Sequence, residues 1–165
     1  MRTSTLALLI STVLLGCLAA CVKDTEDLAQ DLGVLPNGCG TDGARFQATV
    51  NGDSYCASAQ VIATGEGFSV TVTGVDLTGN TLILQADSIA VGQQEMTEAG
   101  NGLLYMESGT TYVMLPGNTG TLTITEADTT AHILKATFDA ILHNDASGDA
   151  RHLAASLDVV YTVEQ

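Results

Sequence analysis

The sequence has no tryptophan, three phenylalanines and two prolines, and only five of its 165 residues are lysine or arginine. So few basic side chains exclude a phosphate-binding surface, because nucleic-acid binding depends on clustered Lys and Arg neutralising the backbone. Few aromatics mean a core of small and medium aliphatic side chains, and nothing in that composition supports a large internal ligand cavity. Several catalytic signatures are also missing: a Gly-x-Ser-x-Gly elbow, a His-Glu-x-x-His helix, a Walker loop and a Rossmann glycine pattern. Carboxylates are abundant, yet 19 acids among so few bases produce neighbouring pairs by chance. Glu107 and Asp139 fall on expected strands, and no spacing brings them together as a glycosidase pair.

What is present begins with an address. Arg2 is followed by an apolar stretch, Leu6 to Leu15, broken only by Ser11 and Thr12, and then by small residues at Gly16, Ala19 and Ala20. A basic start, a short apolar run and small residues before a cut site define a secretory signal. The run falls short of the roughly 20 apolar residues a spanning helix needs. Residues 1–20 are therefore read as a signal peptide. Leu18-Ala19-Ala20-Cys21 resembles the lipobox of bacterial lipoproteins, in which the cysteine is acylated and becomes the new N-terminus. Leu14-Leu15-Gly16-Cys17 is an alternative match. Of the four cysteines, lipidation of Cys21 discards Cys17 and leaves Cys39 and Cys56 as a pair, whereas lipidation of Cys17 leaves an odd thiol, which is disfavoured in an exported protein. Cys21 is the preferred site. Several acyl chains on one residue give stable anchoring, at about 0.8 kcal/mol per buried CH₂.

Val22 follows Cys21, and Val22-Lys23-Asp24-Thr25-Glu26-Asp27 continues as a Lys-then-acidic run. An Asp after the lipidated cysteine would mark inner-membrane retention, so Val22 favours the outer membrane. The acidic run is similar to the surface-export tags of some lipoproteins, and it also reads simply as a solvated tether. All 19 acids and four of the five bases lie beyond Cys21, so that part of the chain carries a formal charge of −15. Residues 21–43 are expected to be an acidic tether, with at most one helical turn over residues 25–32.

From Ala44 onward the apolar pattern has period two. Phe46, Ala48 and Val50 alternate with polar residues and run into Asn51-Gly52, a hairpin signal. Tyr55 to Thr64 is the expected return strand. Phe68, Val70 and Val72 form the next apolar face, with Gly74 expected to end or bulge that strand. Turns follow at Thr78-Gly79-Asn80, Ser108-Gly109-Thr110 and Pro116-Gly117-Asn118. Leu122 and Ile124, then Leu134 to Leu142 in alternation, then Leu153 to Val163 in alternation, complete the pattern. Strands with one apolar face, short turns and no helical period predict an all-β domain over 44–165. Its expected form is an antiparallel β-sandwich or small barrel of about eight or nine strands.

Three segments resemble a family of small bacterial lipoproteins whose all-β domain has no assigned function. Phe46-Gln47-Ala48-Thr49-Val50-Asn51-Gly52 is close to that family's opening Phe-x-Ala-x-Val-Asn-Gly strand and turn. Gly120-Thr121-Leu122-Thr123-Ile124-Thr125, followed by Ala136-Thr137-Phe138, is similar to its middle, with Ala136 where glycine is usual. Leu157-Asp158-Val159 stands near the closing Phe-x-Val, with leucine in the aromatic position, and Tyr55-Cys56 occupies the place of a frequent tryptophan. The resemblance implies an all-β lipoprotein and carries over no functional residue.

Four side chains are weighed as a metal site. His143 and His152 bracket the polar loop 144–151, and Asp145 and Asp149 lie within it. A hairpin would let the imidazoles approach each other with a carboxylate nearby. Asp145, Ser147 and Asp149 are also spaced like calcium ligands, without the glycine and glutamate of an EF-hand. A solvated Asx-rich hairpin loop is the preferred reading, so no metal is assigned. His132 precedes a strand with no partner in view. Cys39 and Cys56 are expected to form a disulfide, which suits an oxidising compartment. The expectation is thus a non-catalytic lipoprotein without a cofactor, anchored to the outer membrane and facing the periplasm or the exterior. Its partners would be the membrane and an envelope protein or glycan, not nucleic acid. A hydrolase or metal-binding protein with an unrecognised carboxylate or histidine site is the alternative.

Overall fold

The structure is a computed structural model that describes residues 39–40 and 43–163. The signal peptide expected over 1–20, Cys17, Cys21, the helical turn at 25–32 and most of the tether over 21–43 lie outside the described residues. All described residues belong to the compact unit 38–165.

Among the described residues there is no helix, and strands take up 64% of them. The twelve strands are β1 (Arg45–Val50), β2 (Asp53–Cys56), β3 (Gln60–Glu66), β4 (Ser69–Val75), β5 (Thr81–Ala86), β6 (Gly92–Met96), β7 (Leu103–Glu107), β8 (Thr110–Val113), β9 (Gly120–Asp128), β10 (Ile133–His143), β11 (Ala150–Val160) and β12 (Thr162–Val163). They form one mixed sheet in the order β12-β3-β4-β5-β7-β8-β10-β11-β1-β2, with β9 on β10 and β6 on β9. β12 follows β11 after a single residue, Tyr161, and pairs with β3 in parallel, Thr162 opposite Thr64. The path is thereby carried back toward its start, and the sheet curls into a half-barrel.

The alternating pattern places the core. Phe46, Ala48 and Val50 of β1, Val70 and Val72 of β4, and Leu82 and Leu84 of β5 point inward, as do all five expected positions of β10, Leu134 to Leu142. Phe46 and Phe138 meet edge to face with ring centroids 6.0 Å apart. No polar or charged residue is buried among those described. Curvature enters where the ladder is irregular or where backbones come close. The β9–β10 register shifts between Lys135 and Ala136, and such bulges bend a sheet. At Gly120 an added Cβ would fall 2.6 Å from the Ala140 Cβ.

Several strands differ from the expected pattern, each for a local reason. The return strand expected over 55–64 is two: β2 pairs with β1, then the chain leaves at Ala57, whose N–H donates to the Phe46 carbonyl, and β3 pairs with β4. Phe68, expected to be buried, is 80% exposed; it sits at the β3–β4 turn beside Gly67, whose φ is +62°, and so lies before the alternation begins. Gly74 does not end its strand. It lies inside β4 with the Phe46 ring against it. β6, with the sequence Gly-Gln-Gln-Glu-Met, has almost no apolar alternation and forms only because β9 offers a free edge. Short pieces of this kind raise the strand number above the expected eight or nine.

Candidate functional site

Segments far apart in sequence meet at a cleft of about 390 Å³: the β1–β2 turn, β2, the β4–β5 loop, the end of β7 and the start of β11. Each wall is held by its own chemistry. Asn51 and Gly52 take φ of +52° and +91°, the left-handed pair that a two-residue hairpin turn requires. The Asn51 N–H donates to the His152 carbonyl at 2.8 Å, and the His152 N–H donates to Asn51 Oδ1 at 2.8 Å, which locks the turn onto β11. In the β4–β5 loop, Asp76 Oδ1 accepts from the Thr78 N–H, the Thr78 hydroxyl and the Asn80 N–H, each at 2.8 Å, while Oδ2 accepts from Asn80 Nδ2 at 2.9 Å. That carboxylate is spent on shaping its own loop, an Asx-type arrangement. Asn80 Oδ1 in turn accepts from the Ser108 N–H at 3.2 Å.

The floor is aromatic. Tyr55 and Tyr105 are buried and meet edge to face at 6.0 Å. The Tyr55 hydroxyl donates to the Gly74 carbonyl at 2.7 Å. Burial, and after it the negative charge of Asp76, raise its pKa well above the ordinary tyrosine range. Tyr105 is pushed up to about 12 by burial and then by the charge of Glu107. Glu107 itself is engaged: Arg151 donates to its Oε2 from Nε at 3.0 Å and from Nη2 at 2.8 Å. The guanidinium also lies 4.5 Å from the centre of the Tyr112 ring. A charge-assisted pair with an added cation–π contact is a stiff element. The hydrogen bond to Glu107 makes Arg151 hold its proton more firmly still.

Of the residues singled out in the sequence as candidate chemical groups, Glu107 lies in the cleft and the others fall elsewhere. The hairpin expected at 144–151 forms, with His143 opposite Ala150 and Ile141 opposite His152. The two histidines are diagonal neighbours on the outer face, and His152 Nε2 lies 3.0 Å from Asp139 Oδ2. Asp149 Oδ2 accepts from the Ser147 hydroxyl, Asn144 Oδ1 accepts from the Ser147 N–H, and Asp145 is exposed. Among the described residues, no three His, Cys, Asp or Glu side chains group as a metal site. His132 takes a φ of +56° and its ring meets that of Tyr161 at a tilt of 38°, with centroids 5.3 Å apart. Glu107 and Asp139 have separate partners, Arg151 and His152. Cys39 and Cys56 are joined in a disulfide with Cα atoms 4.7 Å apart.

The cleft residues Asp53, Asp76, Tyr105 and Arg151 escaped sequence reasoning. Two signals pointed to them. Arg151 is a strand residue in a chain with almost no bases, and all four tyrosines, Tyr105 among them, sit on inward positions.

Fold and site together define an all-β half-barrel with a polar cleft built from its turns. The chain belongs to the family described as a domain of unknown function, DUF6252, which matches residues 42–161. No curated protein matches the sequence.

Proposed function

We propose that the chain is a non-catalytic lipoprotein of the bacterial envelope. In this reading residues 1–20 direct export, Cys21 carries the lipid, the outer membrane is the destination, and the half-barrel acts as a structural or binding accessory domain. The observation that carries it is the Cys39–Cys56 disulfide, because such bonds persist in oxidising compartments outside the cytoplasm.

The cleft supports a binding role over a hydrolytic one. A catalytic carboxylate must be free to take or give a proton. Asp76 spends its oxygens on backbone and side-chain donors, and Glu107 is clamped by Arg151, which leaves Asp53 as the one unengaged carboxylate of the cleft, with no second free carboxylate there to act as its acid–base partner. The inward face is filled by aliphatic and aromatic side chains, which speaks against a carrier with an internal ligand.

Metabolic labelling with a fatty acid in a Gram-negative host tests the anchor. Wild type should take up label and fractionate with the outer membrane. Cys21→Ala should lose both properties. Label persisting on that variant would overturn the choice of Cys21.

A further inference from the structure

We propose that this polar cleft binds a neutral, hydroxyl-rich ligand, a saccharide. This deepens the accessory-domain reading and takes from it only the setting.

The cleft offers hydrogen-bonding groups of both kinds that the fold leaves open. The Asp53 carboxylate and Asn51 Nδ2 make no hydrogen bond among the described residues, although Asn51 Oδ1 is committed to the His152 N–H. Arg151 spends Nε and Nη2 on Glu107 and Nη1 on the Ala150 carbonyl; with five N–H groups it has donors to spare. These groups stand on an already ordered frame, because the turn, the loop and the guanidinium are each held by the bonds described above. A preorganised site spends little free energy on ordering.

The ligand class follows by elimination. An anion would face Asp53, Asp76 and Glu107 against Arg151 alone. A cation would be drawn to Asp53, the one carboxylate there without a partner, but would leave the Asn51 and Arg151 donors without acceptors. An apolar ligand would strip water from these groups and replace none of their hydrogen bonds, which is costly. A hydroxyl group both donates and accepts. Neighbouring hydroxyls can give two hydrogen bonds to the Asp53 carboxylate while their oxygens accept from Asn51 and Arg151. The volume of about 390 Å³ lies in the lower part of the range of small-ligand sites, which suits one or two sugar rings.

The test uses the full-length protein in a detergent without a sugar headgroup. Glucose, galactose, mannose, N-acetylglucosamine, lactose and cellobiose are presented one at a time, with saturation-transfer NMR as the readout and calorimetry for affinity. Spermidine and inorganic phosphate serve as charged probes. At least one sugar should bind, and Asp53→Ala should weaken it by about tenfold or more, the loss expected for a hydrogen bond to a charged group. The variant should unfold like wild type, since Asp53 is exposed and its side chain makes no bond within the fold. Silence across the sugars overturns the proposal. So does sugar binding that ignores Asp53→Ala, or spermidine or phosphate outcompeting every sugar. None of these outcomes touches the labelling of Cys21, so failure here and failure of the anchoring reading are distinguishable.

Discussion

Replacing Gly74 with alanine adds one methyl group at a point where two faces of the half-barrel meet. The new Cβ would stand 2.7 Å from Phe46 Cδ1, 3.3 Å from Phe46 Cγ and 2.8 Å from the Ala57 Cβ. None of these atoms can step aside cheaply. Phe46 and Ala57 are both fully buried, the Phe46 ring is set edge to face against Phe138, and the Ala57 N–H is bonded to the Phe46 carbonyl at 3.0 Å. Overpacking of this kind costs about 1–3 kcal/mol. Against it stands a gain of about 0.5–1 kcal/mol, because alanine has less freedom to lose from the unfolded chain. The net expectation is a loss of about 1–2 kcal/mol. With a mid-range urea slope of about 2 kcal/mol per molar, the midpoint should fall by roughly 0.5–1 M. Gly102→Ala is the matched control, since its added Cβ would meet nothing within 4 Å and the substitution should be neutral or slightly stabilising. Phe46→Leu combined with Gly74→Ala should be non-additive, because the two positions touch. Equilibrium urea unfolding followed by far-ultraviolet circular dichroism decides the matter. A Gly74→Ala midpoint at or above that of Gly102→Ala would refute the argument from close packing.

The Cys39–Cys56 bond closes a sequence separation of 17 residues, for which the chain-entropy model gives about 3 kcal/mol. The Cys39→Ser, Cys56→Ser variant should lose about that much in urea, and adding reductant to wild type should match it; a wild-type midpoint indifferent to reductant would sink the idea. In the alkaline range, Tyr105 holds its proton in the folded state up to about 12 against an ordinary value of 10.0, and Tyr55 is raised as well. The folded state therefore binds more protons than the unfolded chain above pH 10, so stability should be level below that pH and fall as pH rises from about 10 to about 12. Tyrosinate absorbance and urea midpoints measured together across that interval test this, and midpoints that stay level would contradict it.

The β10–β11 ladder was legible because both strands are long, strictly alternating and joined by a short polar loop. Their register, Leu134 opposite Val159 through Leu142 opposite Arg151, follows from keeping both apolar sets on one face. The opening hairpin was equally clear, since Asn-Gly demands left-handed backbone that few other pairs adopt readily. β6 and β12 were not legible. One carries almost no apolar pattern, and the other is two residues long, so each exists only because a distant strand has unpaired hydrogen-bonding groups. Phe68 misled because alternation alone does not mark where a strand begins.

The candidate site divides in the same way. Pairs close in sequence, such as Asp76 with Thr78 and Asn80, lie within reach of a local turn. Arg151 with Glu107, 44 residues apart, and Asn51 with His152, 101 apart, do not. Sequence periodicity by itself determined which faces are buried and that the domain is all-β, because a strand's two faces follow directly from a spacing of two. Which strands become neighbours, that the sheet curls into a half-barrel, and that Asp53, Tyr105 and Arg151 share one cleft were decided only by the tertiary structure. Strand pairing and curvature depend on bulges and close backbone contacts between distant segments, and a local pattern of apolar residues carries no information about either.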